Sequence, residues 1–182
     1  MKKFLLSLMA VTLCVANVSA KGGSKFDSAV KAVASQDWSV GLRVGSGLQA
    51  NAECFYGDKT YVEGRFGLGY ISGLSADFTA LHNWNIFNMD WTPSAGQWFF
   101  DAGVGFNIGG ASHWVYGGVA GQAKLGIKFS SAPVRLSVDW TPVIGVGGHY
   151  GKVDLGDSIE TNRAYFYSWG LCNFGITASY CF

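Results

Sequence analysis

From Trp38 to Phe182 apolar and polar residues alternate with a period of two, and turn-forming clusters cut the alternation into eight segments. One parity carries Trp38, Val40, Leu42 and Val44; Ala50, Ala52, Cys54 and Tyr56; Val62, Phe66, Leu68 and Tyr70; then Ala76, Phe78, Ala80, Trp84 and Ile86. It continues with Phe100, Ala102, Val104, Phe106 and Ile108; Ala123, Leu125, Ile127 and Phe129; Val134, Leu136, Val138, Trp140 and Ile144; and finally Cys172, Phe174, Ile176, Ala178, Tyr180 and Phe182. No formal charge falls on this parity: His82 is its polar intruder, Gly64 its gap and Pro142 a candidate bulge. A two-residue period puts successive side chains on opposite faces of a strand, so each segment predicts one strand with an apolar and a polar face.

The opposite parity is polar and small. Its charges are Arg43, Arg65, Lys124, Lys128 and Arg135 against Glu53, Glu63, Asp77, Asp101 and Asp139, five of each sign. Glycines occupy positions 41, 45, 67, 69, 103, 105, 126 and 175 on the same face.

Ahead of the alternation the pattern differs. Lys2 and Lys3, an apolar run from Phe4 to Val18 and the small residues Ser19-Ala20 describe a secretory signal over residues 1–20, too short to anchor in a bilayer. A lipoprotein signal using Cys14 is the alternative, but Thr12-Leu13 is not the small-residue approach that a lipidated cysteine wants. Residues 21–36 form a separate N-terminal periplasmic segment. In it Ser24-Lys25-Phe26-Asp27 resembles a capping box, and Phe26, Ala29, Val30 and Val33 lie at helical spacing, so a short helix and an unstructured linker both stay open. Residues 37–182 are the strand-bearing domain.

Composition sharpens the reading. Only 14% of the 182 residues are charged, 15% are aromatic and 26 are glycine, an unusually small supply of surface charge for a soluble domain. A net charge of +1 leaves no basic field to attract nucleic acid. Past Ala20 no apolar run approaches the ~20 residues that a spanning helix needs, so any membrane crossing must be made by strands. The cysteines beyond the signal, Cys54, Cys172 and Cys181, are odd in number and lack CxxC spacing, which makes a poor disulfide framework and a poor zinc site.

Alternation alone fits either a membrane barrel or a soluble barrel with its apolar face inward. Three features select the membrane form. Small residues crowd the polar face, where a concave lumen wants them. The ten charges there cancel, as a filled interior requires. Aromatics stand at strand ends, Trp38, Tyr56, Tyr70, Trp84, Phe129, Tyr180 and Phe182, as in an interfacial girdle. The expected fold is all-β, an eight-stranded antiparallel transmembrane up-and-down barrel whose interior side chains just fill it. With the N-terminus in the periplasm, the tight turns at 57–59 and 130–132 fall inside, and the longer connections 109–117 and 147–165 fall outside. The short outer connections near Gly47 and Ser72 and a longer inner one around 90–97 depart from that rule. The tetrapeptide at Asp90 to Pro93 recurs at Asp139 to Pro142, without a wider repeat.

In the stretches GLRVGSGLQANAECFYGDKTYVEGRFGLG, PVRLSVDWTPVIG and GITASYCF the chain resembles the small OmpA/OmpX-like eight-stranded outer-membrane proteins. It is most similar among them to the short barrel proteins of the Bacteroides group. The resemblance covers about Trp38 to Phe182. It implies that terminal Phe182, with Tyr180, is the signal read by the barrel assembly machinery. It carries over no catalytic site.

A lipid A deacylase would need a serine and histidine together on the lipid-facing surface, and His82 has no serine two residues away on its strand. His113 and His149 with Asp154, Asp157 and Glu160 match no established cation loop, and no phosphate loop, zinc helix or nucleophile elbow occurs. The expectation is therefore a non-enzymatic outer-membrane protein of a Gram-negative bacterium, without metal or cofactor. Its partners would be outer-membrane lipid, the assembly machinery and other envelope proteins, and its role structural, adhesive or that of a small subunit of an envelope complex. The ten charges serve as a structural network. A narrow pore or ligand-holding barrel is the alternative, and a lipid-modifying enzyme a more distant one.

Overall fold

A computed structural model describes residues 38–56, 58–70, 74–111, 114–149 and 164–182. The signal over 1–20, the segment 21–36, His113 and the acidic loop bearing Asp154, Asp157 and Glu160 lie outside the described residues. The strands are β1 (Trp38–Val44), β2 (Leu48–Phe55), β3 (Thr60–Tyr70), β4 (Leu74–Met89), β5 (Gly96–Ala111), β6 (Trp114–Phe129), β7 (Val134–Trp140), β8 (Val143–His149), β9 (Ala164–Tyr167) and β10 (Phe174–Cys181). A short 3-10 helix, Trp169–Cys172, stands between the last two.

These ten strands make eight staves of a closed antiparallel barrel. Strands β7 and β8 both pair with β6, one beyond the other, and are one stave interrupted at Thr141-Pro142. Strands β9 and β10 are likewise one stave, interrupted by the 3-10 helix. The ring closes because β5 pairs with β6 and β1 pairs with β10, so both walls of the cut meet. Pro142 has no N–H to give the ladder, and the strand breaks there outright. The neighbouring backbone stays satisfied: Gly121 N–H donates to Pro142 O at 2.9 Å and Thr141 N–H to Asn173 O at 2.8 Å.

The staves tilt. Partner residues followed round the ring run Trp38, Cys54, Val62, His82, Val104, Gly121. That path reaches Pro142 and then Asn173, whose side chain meets Ser46 above the upper end of β1, not beside Trp38 where it began. Such a stagger is what closure of a small barrel demands. We call the end bearing Trp38 and Phe182 the lower mouth and the opposite end the upper mouth.

The polarity is inside out. Leu42, Val119, Val146 and Phe166 are 56%, 63%, 67% and 67% exposed, whereas Arg43, Glu63 and Lys124 are 0% exposed. Apolar side chains form the outer wall and charges the centre. The interior does hold some apolar residues: Leu81, Ala120 and Val143 make a small buried cluster with Tyr167 against it.

Several local expectations change. Residues 109–117 are not a long loop: β5 runs to Ala111 and β6 starts at Trp114. Gly109 and Gly110 mimic a turn in sequence, but Gly109 lies beneath the Tyr116 ring, where any side chain would collide. Likewise β8 reaches His149 and β9 starts at Ala164, so the predicted loop 147–165 shortens at both ends. Cys172, assigned by parity to the last strand, belongs to the 3-10 helix, and β10 begins at Phe174. Strand β4 carries a register shift between Asn85 and Phe87, which lets Ile86 and Phe87 both point outward. Ile127 keeps its outward parity but is nearly covered, flanked in register by Trp98 and Leu136.

Candidate functional site

The polar parity converges on the lumen because closing a sheet forces one face to be concave, and on that face charges from different staves come within reach. Eight of the ten charged positions form one string of alternating sign: Asp101, Arg135, Glu53, Lys124, Glu63, Arg65, Asp139, Arg43. Arg135 donates to Asp101 at 3.3 Å and to Glu53 at 2.8 Å. The Lys124 ammonium sits between Glu53 at 2.8 Å and Glu63 at 2.7 Å. Arg65 joins Glu63 at 2.7 Å to Asp139 at 3.4 Å, and Arg43 closes on Asp139 through Nη2 at 2.8 Å and Nε at 3.0 Å.

The string crosses the lumen instead of following the sheet. Lys124 lies in register between Asp101 and Asp139 on the neighbouring strands, yet its salt bridges are to the two glutamates of β2 and β3. Four cations thus tie one wall to the other through four anions. Neutral groups take up further lone pairs and N–H groups. Tyr61 donates to Asp101 at 2.8 Å, Asn85 to Asp101 at 2.8 Å, Asn83 to Glu63 at 3.2 Å and Ser39 to Glu53. Thr141 and Thr177 donate to Asp139, and Arg43 also reaches Gln49 at 2.9 Å. Such completeness is what makes buried ions tolerable, since a lone one would cost several kcal/mol. Within the string each carboxylate is engaged by cationic and neutral partners.

Two of the ten stand apart. Asp77, near the upper mouth, accepts from Gln49 at 2.8 Å and Asn107 at 3.4 Å but makes no ion pair among the described residues. Lys128, near the lower mouth, is half-buried and makes neither an ion pair nor a side-chain hydrogen bond among them. The charges cancel in sum, but the leftover acid and base stand at opposite ends.

Aromatic interior residues escaped the sequence reading. Tyr61, Phe55 and Phe99 line the lower lumen, and the Arg135 guanidinium lies 4.2 Å from the Phe99 ring centroid and 5.1 Å from that of Phe55. Higher up, Trp114 stacks on Tyr116 at 5.0 Å and Tyr116 on Tyr167 at 4.4 Å. Parity could have found them: Tyr61 shares a face with Glu63, Phe99 with Asp101, and Tyr116 with Lys124. On the outer wall His82 contacts the Tyr56 hydroxyl at 2.6 Å and the edge of Trp84, a packing and hydrogen-bonding role. His149 packs near Tyr165. Tyr180 and Phe182 are exposed beside each other, 5.1 Å between ring centroids, at the lower rim.

Fold and interior together define a class: a closed eight-stranded antiparallel β-barrel with an apolar exterior and an ion-filled lumen. No family model matches the chain, and no curated protein does. Among solved structures it is similar to the N-terminal β-barrel domain of Pseudomonas aeruginosa OprF, at 12% identity and a TM-score of 0.43, over 80% of this chain and 95% of that one. The functional reading rests on the geometry above.

Proposed function

We propose that this chain is an integral outer-membrane protein of a Gram-negative bacterium, exported by its first 20 residues and inserted by the barrel assembly machinery through the Tyr180 and Phe182 terminus. The carrying observation is the wall: Leu42, Val104, Val119, Val138, Ile144 and Ile176 are about half-exposed or more, an apolar surface that water would penalise and hydrocarbon would not. Backbone pairing around the whole ring supports the same reading, because a bilayer admits strands only without free edges.

The role is non-enzymatic and structural: a rigid rod presenting its upper strands to the exterior, as an adhesive surface or a small subunit of an envelope complex, akin to the short barrels of the Bacteroides group. The cross-lumen brace and the stacked rings above it argue against a conducting pathway. Heat-modifiable migration tests the barrel, since unboiled protein should run faster than boiled. Membrane fractionation with resistance to alkaline extraction tests the location: recovery in the soluble periplasmic fraction would overturn it. Planar-bilayer recording should show no sustained single-channel conductance.

A further inference from the structure

At the lower mouth the lumen opens into a cavity of about 180 Å³. Phe55, Tyr61 and Phe99 form its apolar side, and Thr60, Asn85, Asn88 and Gln97 offer hydroxyl and amide groups. Lys128 and Arg135 bring positive charge to it, and Asp101 is already held by Tyr61, Asn85 and Arg135. Asp58 and Lys59, adjacent on the turn below, add one acid and one base to its lining.

We propose that this cavity is a binding site for a small oxyanion, a carboxylate or phosphate group, with Lys128 as its charge-determining residue. Three observations carry the assignment. The alternating string of eight ions is neutral by itself, so Lys128 is a surplus cation in the lower lumen. It is half-buried and lacks an acidic partner among the described residues, in surroundings that strengthen an ionic contact over its value in water. Arg135 also lines the cavity, its guanidinium held by two carboxylates and the Phe99 ring with 10% of its side chain exposed, so a second, fixed positive charge stands beside Lys128. An oxyanion on the Lys128 ammonium would also draw on the amide N–H groups of Gln97, its in-register neighbour on β5, and of Asn88 on β4. Asp77 supplies the counterpart: without an ion pair among the described residues, it stands at the far end of the lumen and cannot neutralise Lys128. The inference goes beyond the membrane role and holds whichever compartment the lower mouth faces.

The test uses the full chain folded in detergent micelles, isotope-labelled for nuclear magnetic resonance and titrated separately with inorganic phosphate and with acetate, against sodium chloride at matched ionic strength. A saturable shift of the Asn88 and Gln97 side-chain amides is expected with at least one probe, and the arm that saturates identifies the oxyanion. Lys128→Gln should weaken it by about tenfold or more, Lys128→Arg should retain it, and Asp77→Asn should leave it unchanged. In labelled wild-type protein the Lys128 ε-methylene signal should move with the same midpoint, a readout that needs no variant to fold. Shifts no larger than those in chloride, or an unaltered midpoint in heat-modifiable Lys128→Gln protein, would overturn the proposal.

Discussion

Around Glu63 the barrel is packed with ions, and around Tyr116 with rings, although strands β5 and β6 line both regions. In the lower and middle lumen the charged contacts are directional: Lys124 needs both Glu53 and Glu63, and Arg65 needs Asp139 as well as Glu63. In the upper lumen Trp114, Tyr116 and Tyr167 stack over glycine-rich strands, Gly109 under Tyr116 and Gly147 under Tyr165. Both fillings occupy the lumen. They fail differently, because losing one ion strands its partner while losing one ring leaves only a void.

The comparison breaks most sharply at Glu63. Glu63→Gln keeps the shape but leaves Arg65 and Lys124 short of an anion, and it should cost about 3–5 kcal/mol in reversible urea unfolding from detergent or lipid. A loss equal to that of an exposed substitution would mean the string is not a brace. Outside the lumen, Val104→Arg on the apolar outer wall should cost about 2–4 kcal/mol in bilayers, and Val146→Arg near the upper rim about 0–1 kcal/mol; equal costs would show that the wall does not sit in hydrocarbon as proposed. Among the rings, Tyr116→Ala should cost about 2 kcal/mol, less than Glu63→Gln, because the half-buried site can partly relax. Lys128→Gln should change unfolding free energy by no more than about 0.5 kcal/mol, since no partner is stranded; a large loss would reveal an unseen counter-ion.

Much of this was legible along the chain. The eight segments correspond to the eight staves, and the parity bearing Arg43, Glu53, Glu63, Arg65, Asp101, Lys124, Arg135 and Asp139 is the buried one. Tyr61, Leu81 and Phe99 are apolar and so do not stand out among polar neighbours, yet their parity places them with the ions, where they are buried. The loop expected at 109–117 failed because glycine marks a turn and a ring-bearing strand equally well, and only the neighbour across the sheet tells them apart. Cys172 failed because alternation continues in sequence past the point where the backbone leaves the ladder.

Strand formation and the facing of most residues follow from a two-residue period, which is local and needs no knowledge of the partner strand; the bulge at Asn85 to Phe87 and the 3-10 helix at Cys172 depart from it. Which ions meet does not follow from that period. Arg43 finds Asp139 across 96 positions, and Lys124 bypasses the acids beside it in the sheet for those on the facing wall. Stave tilt and bore width set those encounters, and both arise only when the sheet closes. The same closure left Asp77 and Lys128 at opposite ends, a polarity invisible in a list whose charges simply cancel.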